Sequence, residues 1–496
     1  MLNKFRHRVI AFIDSKKDIP ILAALAAGLY PLIYYYNSNF TLVNSWSQFF
    51  FFVLLYLIMP SIGFFLCFTL IKRLGIFKGY ITYILPILNF CLFAFLIVLS
   101  TYGFRRKIIT LAVFGAFILA ILLRKHLKKI IVFQFILAVL VFVKLIPDFY
   151  RHITYSRAWM NQPDTIEDVV FKKKPNIYVI QPDGYANFTE LKNKTYNFDN
   201  SEFESFLEEK NFNLYNNFRS NYNSTLSSNG SMFAMKHHYY NNPKPGTNEV
   251  YKSRDIIVGE NPVISIFNKN NYKTSLILEK SYLLVNRPDL EYDYCNIDYS
   301  EVSYLARGFE VEKNVSDDLE LAITNNTATN NFYFIEKIAP GHIPTYDWAS
   351  KGKENGRLAY LKELQWANDW LKDLVERIEK HDKNSLIVIV ADHGGFVGLD
   401  YTLQCKEKQT ERDLVYTIFT SALAIKWPHE APSFDNQLKS NVNLFRVLFS
   451  YLGDDEQYLN NLQEDKSYSV IEKGAPYGVY ELINEKGEVV FNKFSK

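Results

Sequence analysis

The sequence predicts an α/β protein of two parts: a membrane module of five helices, then a mixed sheet sandwiched by helices, with a small antiparallel sheet near its end. Two observations predict this class. Apolar residues crowd the first third of the 496-residue chain, and after residue 147 short apolar runs alternate with amphipathic helical patterns. We expect a transmembrane module at 1–149, a linker at 150–174 and a globular domain at 175–496.

The membrane module is predicted from a series of apolar stretches early in the chain. The five stretches are Ile19–Tyr36, Gln48–Leu70, Gly79–Leu99, Ile108–Leu123 and Ile130–Ile146. Each has close to the ~20 residues needed to cross a hydrocarbon core. Buried helices of a soluble protein seldom form such a series with short basic loops. A cleaved signal peptide does not fit either, because further apolar stretches follow the first at once.

The distribution of Lys and Arg predicts the side of the membrane on which each loop lies. Basic residues are frequent in residues 1–17 and in the loops after the second and fourth stretches, whereas the loop Asn37–Ser47 has no charge. This pattern places the N-terminus inside and the residues after Pro147 outside, although the basic loop Arg105–Lys107 runs against it. We expect a multi-pass protein of the cell inner (plasma) membrane, with its domain on the periplasmic or extracellular side.

Charge and cysteine content exclude two other classes. The formal charge of +3 is small and the basic residues are spread along the chain, so nucleic acid is not an expected partner. The four cysteines include no CxxC pair, which argues against a zinc knuckle or a redox centre. The sequence leaves open a disulfide between Cys295 and Cys405, as well as the oligomeric state.

The second part of the chain has the pattern of an α/β domain. Strands are predicted at Asn176–Gln181, Thr274–Leu278, Asn331–Ile335 and Leu386–Ala391, whose continuous apolar runs suit strands covered on both faces. Leucines at helical spacing predict a crossover helix over Gly356–His381. Tyr477–Ile483 and Glu488–Phe491 flank a turn and predict an antiparallel hairpin.

Two of these strands end in a similar way. The first runs into Asp183 before Gly184, and the last runs into Asp392 and His393 before two glycines. Because the carboxyl ends of parallel strands share one sheet edge, these side chains are predicted to converge. Carboxylate and imidazole ligands suit Mg, Mn or Zn. The alternative for Asp183 alone is a simple turn residue before glycine.

A loop rich in hydroxyl residues lies between the two strands. Arg219–Met235 contains Thr225 with Ser224, Ser227 and Ser228, and it leads into an apolar tract with helical character. A hydroxyl at a helix start is well placed for phosphate chemistry, since free backbone N–H groups attract the anion. Serine and threonine at such positions are more often plain N-caps, and composition does not choose among these hydroxyls.

Four segments in a fixed order carry a family resemblance. They are Asn176–Tyr185, Tyr222–Leu226, Ala339–Pro344 and Val390–Gly395. Together they resemble the alkaline phosphatase and sulfatase superfamily, in its membrane-bound branch of lipoteichoic acid synthases and phosphoethanolamine or phosphoglycerol transferases. The resemblance implies that 175–496 is an alkaline phosphatase-like catalytic domain.

The resemblance also implies roles for individual residues. Asp183, Asp392 and His393 would bind one divalent metal ion (Mn, Zn or Mg), with Thr225 as nucleophile and further ligand. His342 would line the phosphate pocket and protonate a leaving or entering oxygen, whereas a surface-loop histidine beside proline is the simpler interpretation.

Several residues depart from the wider superfamily. Pro182 precedes Asp183 where sulfatases commonly have a second Asp, and no Cys-x-Pro-x-Arg or Ser-x-Pro-x-Arg motif occurs, which disfavours sulfate-ester hydrolysis. A second metal site lacks obvious histidine ligands after His393. His237 and His238 lie on a polar stretch, and we expect both to be solvated.

The expected function is transfer of a phosphoethanolamine or phosphoglycerol head group from a phospholipid donor to a cell-envelope glycan or lipid acceptor, through a phospho-threonine intermediate. A membrane-anchored phosphodiesterase, phosphatase or sulfatase-like hydrolase is the first alternative. A non-catalytic membrane scaffold is the second, and the intact Asp183, Thr225, Asp392 and His393 argue against it. The donor, the acceptor and the identity of the metal stay open.

Overall fold

The computed structural model describes residues 2–75, 78–241, 245, 249–326 and 330–495. The chain divides into two compact units. The first comprises Met1–Ser156 together with Val285–Arg287, and the second comprises Arg157–Leu284 together with Pro288–Lys496.

The first unit is helical. Its helices are α1 Leu2–Asp14, α2 Pro20–Asn39, α3 Trp46–Val53, α4 Met59–Leu74, α5 Ile81–Tyr102, α6 Arg106–Leu123 and α7 Leu127–Ile153. A π-helical segment, Leu54–Ile58, joins α3 to α4. Helix α2 packs against α4, α5 and α7, and α5 packs against α6. Small residues make the close packing of α2 possible, because a Cβ on Gly28 would lie 1.9 Å from the carbonyl oxygen of Tyr56.

Three helical stretches of the described residues, rather than the predicted five, are long and apolar enough to cross a membrane: Trp46–Leu74, Ile81–Tyr102 and Arg106–Ile153. The prediction of five was wrong for two physical reasons. Helix α2 has two prolines and a tyrosine-rich second half, which lower its mean hydropathy. The last two apolar stretches belong to one helical segment, interrupted only by the 3₁₀ turn Arg124–His126.

The second unit is built on a mixed sheet of seven strands. The strands of the unit are β1 Ile177–Pro182, β2 Asn213–Leu214, β3 Lys273–Leu278, β4 Tyr294–Cys295, β5 Asn331–Lys337, β6 Leu386–Val390, β7 Leu423–Lys426, β8 Ser467–Ile471, β9 Gly478–Ile483 and β10 Val489–Lys493. The large sheet has the order β2-β7-β6-β1-β5-β3-β4. The strands from β6 to β4 are parallel to one another, whereas at the other edge β7 is antiparallel to β6 and β2 is antiparallel to β7.

Helices cover both faces of this sheet. They are α8 Phe188–Leu191, α9 Ser201–Glu209, α10 Thr225–Ala234, α11 Ser253–Ile257, α12 Pro262–Lys269, α13 Val315–Asn325, α14 Lys353–His381, α15 Arg412–Phe419 and α16 Leu444–Gly453. Leucines of α14 lie in the core formed with one face of the sheet. On the other face, Phe233 of α10 and Phe267 of α12 contact Phe334 and Phe332 of β5, with ring centroids 5.0 and 4.1 Å apart.

The predicted sandwich and the small antiparallel sheet are therefore confirmed. The crossover helix spans Lys353–His381, three residues longer at its start than the pattern predicts. The hairpin forms from β9 and β10, and β8 completes a three-stranded sheet of its own. Because β1 lies between β5 and β6 in parallel register, its carboxyl end is flanked on both sides by the carboxyl ends of other buried strands.

Truncation of Leu371 tests the role of α14 as the core layer of this sheet. Leu371 is fully buried, whereas Leu358 on the same helix is 52% exposed. We expect Leu371→Ala to lower the free energy of unfolding by about 2–5 kcal/mol, because it leaves a cavity between helix and sheet. Leu358→Ala is the matched control and should cost under about 1 kcal/mol. Denaturant unfolding of the detergent-solubilised chain measures both, and equal costs would contradict the layering.

Candidate active site

Asp183, Asp392 and His393 converge at one edge of the large sheet. Asp183 directly follows β1, and Asp392 and His393 follow β6 after a single alanine. The parallel pairs run from Ile177 with Leu386 to Ile180 with Ile389, so the two strands end side by side. One ligand atom from each of the three residues lies within 4.8 Å of the others, and all three side chains are buried.

Backbone contacts orient these side chains. The N–H of Gly184 donates to Oδ1 of Asp392 over 3.0 Å. Nδ1 of His393 lies 2.9 Å from the carbonyl oxygen of Gly394, which makes Nδ1 the protonated nitrogen. Nε2 of His393 then faces Oδ2 of Asp392 at 3.3 Å. Nε2 is therefore the ring nitrogen that faces the carboxylates, and in its unprotonated form it is available as a metal ligand.

The turn after β1 requires a glycine. Gly184 has a φ of +68°, and a Cβ there would lie 2.1 Å from the carbonyl oxygen of Gly341. The N–H of Gly341 also donates to the carbonyl oxygen of Asp183 over 2.8 Å. The segment that carries His342 is thus tied directly to the backbone of Asp183 by a close approach that only glycine permits.

The structure distinguishes Thr225 from the rival hydroxyls. Thr225 is the first residue of α10, and its Oγ1 donates to Oδ2 of Asp183 over 3.2 Å. Ser227 and Ser228 are fully buried, and Oγ of Ser228 lies 2.8 Å from Oγ of Ser220. Ser224 is the N-cap residue, but its side chain makes no capping hydrogen bond. Thr225 is therefore the hydroxyl that contacts the convergent carboxylates.

A cavity of about 560 Å³ opens on these residues. Asp183, Thr225, His342 and His393 line it together with Ser224, Glu249, Tyr282, Phe309, Tyr346 and Phe396, among others. The rings of His342 and His393 have centroids 6.0 Å apart. The structure thus brings His342 to the same cavity as the other predicted site residues, with its side chain accessible from outside.

The electrostatics of the site favour a bound cation. Burial, and then the charge of Asp392, raise the pKa of Asp183 to about 7. Within the described ranges, no Lys or Arg forms an ion pair with either carboxylate, and Oδ2 of Asp392 is buried without a hydrogen-bond partner. Two carboxylates, one imidazole and one hydroxyl form a donor set that fits Zn, Mn or Mg. These residues therefore fit a divalent ion.

A second group of acidic residues near Asp183 has no signal in the sequence. Glu336 on β5 pairs in register with Gln181 and is fully buried. Burial, and then the charge of Asp183, raise the pKa of Glu336 well above its usual range. Glu279 forms a largely buried ion pair of 2.7 Å with Lys337. In sequence these residues are merely polar positions at strand ends, and only the sheet register shows that they approach the site.

The expectation that His237 and His238 are solvated was wrong. Both are buried in an aromatic cluster with Tyr222, and the rings of His238 and Tyr222 are stacked with centroids 3.9 Å apart. Tyr222 Oη lies 3.0 Å from Nδ1 of His237 and accepts from the N–H of His238. Nε2 of His238 lies 2.8 Å from the carbonyl oxygen of Ser227 on α10. The cluster therefore supports the loop and helix that present Thr225.

The disulfide left open by the sequence does not form, since all four cysteines are free. Cys405 is buried beside the Thr225 loop, where its Sγ accepts a hydrogen bond from Nδ2 of Asn223 over 3.0 Å. Burial raises the pKa of Cys405 to about 12, so it stays a neutral thiol. Cys405 thus packs against the loop and takes no part in redox chemistry.

No protein-family model matches the chain, and no curated protein matches it. Solved structures similar to it include the C-terminal periplasmic domain of EcEptC from Escherichia coli in complex with Zn (TM-score 0.42, 11% identity, 64% of this chain and 96% of that one). Another is the soluble domain of lipooligosaccharide phosphoethanolamine transferase A from Neisseria meningitidis (0.37, 13%, 58% and 92%). A third is yidJ from Bacteroides fragilis, assigned as a sulfatase (0.39, 11%, 60% and 81%). Phosphoethanolamine transferases and sulfatases are the classes that the sequence resembles, but at these scores the likeness assigns no reaction.

The two cluster histidines predict a pH-dependent stability. Burial lowers the pKa of His237 to about 4 and of His238 to about 3, whereas both titrate near 6.5 when unfolded. The unfolded chain therefore binds more protons below pH 6.5, and stability is lost as pH falls from 6.5 towards these values. Each histidine should cost about 1.4 kcal/mol per pH unit in that window.

Denaturant unfolding at pH 7 and pH 5 measures this effect. His238→Gln should lower stability at pH 7 but flatten the dependence on pH, because one titrating group is removed. The exposed His429 is the matched control, and His429→Gln should leave the dependence as in the wild type. The same pH dependence in His238→Gln and wild type would contradict the assignment.

Proposed function

We propose that this chain is a membrane-anchored, metal-dependent enzyme that transfers a phosphate-linked head group, phosphoethanolamine or phosphoglycerol, from a phospholipid to a cell-envelope glycan or lipid. The observation that carries the proposal is the hydroxyl of Thr225 at a helix start, hydrogen-bonded to Asp183 beside Asp392 and His393 in an open cavity. A scaffold protein would have no need to bury unpaired carboxylates around a hydroxyl.

The helix start supports binding of the phosphate. Helix α10 has ten residues and Ser224 does not cap it with its side chain. The N–H groups of its first turn and the positive end of the helix dipole are therefore available to phosphoryl oxygens. The simpler interpretation, a serine that only caps a helix, is not supported by this geometry.

The metal ion would be held by Asp183, Asp392, His393 and Thr225. When bound, it would lower the pKa of the attacking hydroxyl and offset negative charge on the phosphoryl oxygens. A bound cation would favour the ionised form of Asp183 and so offset the burial and the charge of Asp392 that raise its pKa.

The reaction proceeds in two displacements. Oγ1 of Thr225 attacks phosphorus while its proton passes to Oδ2 of Asp183, the atom to which it already donates. The bond from phosphorus to the diacylglycerol oxygen breaks, and His342 at the accessible side of the cavity protonates that oxygen. An acceptor hydroxyl then attacks the phosphorus of the phospho-threonine and gives its proton to His342, while the bond from phosphorus to Oγ1 breaks and Oδ2 of Asp183 returns its proton to Thr225.

The membrane helices support a lipid donor. Three stretches of the described residues are able to cross a bilayer, so the chain is held where phospholipids are. We propose a multi-pass protein of the inner (plasma) membrane whose catalytic domain, 175–496, lies on the periplasmic or extracellular side after a membrane module at 1–149 and a linker at 150–174. The proposed orientation follows from the distribution of basic loops.

Substitution of Thr225 tests the nucleophile. We expect Thr225→Ala to lower diacylglycerol release from head-group-labelled phosphatidylethanolamine or phosphatidylglycerol by at least about a thousandfold. Ser224→Ala removes a rival hydroxyl in the same cavity and should keep most of the activity. Loss of activity in Ser224→Ala with Thr225→Ala still active would reverse the assignment. Release of the head group to water alone would identify a hydrolase.

Metal binding is measured without turnover. Addition of Zn, Mn or Mg to chelator-treated wild type should raise its thermal unfolding midpoint, by the equivalent of about 2.7 kcal/mol at a hundredfold excess over Kd. Asp392→Asn removes a ligand charge and should abolish this shift. Asp373, an exposed acid on α14, provides the control Asp373→Asn, which should keep it. Equal shifts in all three proteins would argue against the site.

A further inference from the structure

Three aromatic side chains near the cavity are strongly exposed. Trp348 is 83% exposed, which is more than any large apolar side chain on the candidate membrane spans. Tyr346 and Phe309 are 51% and 55% exposed. We call Phe309, Tyr346 and Trp348 the aromatic rim. Such a group on the surface of a folded domain marks an interaction site.

The aromatic rim is continuous with the proposed active site. Phe309 and Tyr346 both line the cavity that contains Thr225 and His342. The ring of Trp348 is stacked with that of Tyr346, with centroids 5.8 Å apart and planes 13° from parallel. The rim therefore extends from the wall of the cavity out to the surface of the protein.

The exposure of Trp348 belongs to an ordered turn. Asp347–Ala349 form a 3₁₀ turn closed by a hydrogen bond from the N–H of Ala349 to the carbonyl oxygen of Tyr346. The carbonyl oxygen of Pro344, three residues before this turn, accepts a hydrogen bond from the N–H of Thr402 over 3.0 Å. These backbone hydrogen bonds fix the turn that carries Trp348, so its side chain is exposed because of the local fold and not because the segment is frayed.

Two lysines follow Trp348 in the sequence after Ala349 and Ser350, while one acidic residue, Asp347, lies between Tyr346 and Trp348. Lys351 and Lys353 are exposed, and neither ammonium group forms an ion pair with a described residue. Ammonium groups are attracted to an anionic bilayer surface. Aromatic rings beside lysines form the combination that locates proteins at the boundary between headgroups and acyl chains.

We propose that the aromatic rim inserts into the interfacial layer of the lipid bilayer and places the cavity over the headgroup of a donor lipid. The inference rests on the proposed function in taking that lipid as the donor. The bilayer is favoured because the same chain has three candidate membrane spans, so this surface and a membrane occur together. The rings themselves offer few hydrogen-bonding groups to a glycan, since Phe309 has none, and the exposed Lys351 and Lys353 carry the positive charge that anionic lipid headgroups attract.

Insertion can be measured without catalysis. The full chain is placed in nanodiscs of phosphatidylglycerol and brominated phosphatidylcholine, and quenching of tryptophan emission is compared with that in unbrominated nanodiscs. Trp348→Phe should lose a quenched component of the emission. The control is Trp366→Phe, which removes a half-exposed tryptophan on α14 that does not line the cavity, and quenching should be undiminished. If the emission that is lost in Trp348→Phe is not quenched by the brominated lipid, the proposal is overturned.

Kinetics provide an independent test. Trp348→Ala should raise KM for a donor embedded in a bilayer by on the order of tenfold, because buried apolar surface is lost. KM for a monomeric short-chain donor with the same headgroup, and kcat for both, should be unchanged. Trp348→Phe should restore most of the affinity for the bilayer donor.

The outcomes separate the two proposals. An effect of Trp348→Ala on KM for a glycan acceptor only, or an equal effect on both donors, would overturn insertion into the bilayer. If wild type turns over neither donor, the proposed function fails, while the quenching experiment still decides whether Trp348 lies in the membrane.

Discussion

The site depends on the parallel pairing of β1 with β6. This register ends both strands at one sheet edge and brings Asp183 within reach of Asp392 and His393. Two buried carboxylates so close together repel each other, and the charge of Asp392 is one cause of the raised pKa of Asp183. Neighbouring groups offset part of this repulsion by donating hydrogen bonds to the carboxylates. The N–H of Gly184 donates to Oδ1 of Asp392 and Thr225 donates to Oδ2 of Asp183, while Oδ2 of Asp392 is buried without a hydrogen-bond partner among the described residues.

The part of this arrangement that is local in sequence could be predicted. Apolar β-branched runs that end in Asp before Gly predict both strands and their polar ends, and leucines at helical spacing predict α14. The convergence of Asp183 with Asp392 follows from a general rule for parallel sheets. What could not be predicted depends on register and tertiary contact. Glu336 approaches Asp183 only because β5 pairs with β1, and no pattern around Glu336 distinguishes it from a solvated strand end.

The selection of Thr225 as the site hydroxyl also depends on tertiary contacts that the sequence alone does not show. Several hydroxyls in one short loop have similar local sequence, and they differ only in what the fold places next to them. Ser228 faces Ser220, while Thr225 faces Asp183. The loop is held by Tyr222, which stacks on His238, a residue that follows the end of α10. Histidines on a polar stretch ordinarily indicate exposure, but here aromatic packing outweighs that tendency.

The number of membrane spans was overestimated for the opposite reason. The prediction counted length and apolar content without the polarity that tyrosines give to α2.

In a membrane enzyme that acts on lipid headgroups, the polar site must reach the headgroup while the acyl chains of the same lipid stay in the hydrocarbon layer. The distribution of polarity around the cavity fits this requirement. Asp183, His342 and His393, which suit a cation and a phosphate, line the cavity together with Phe309 and Tyr346. Trp348 continues the apolar side outward and Lys351 adds positive charge. In the proposed function, headgroup chemistry around Thr225 and interfacial contact at the aromatic rim are combined in one continuous surface. The hydroxyl of Thr225 lies at the inner end of that surface, where the phosphorus of a bilayer lipid would arrive.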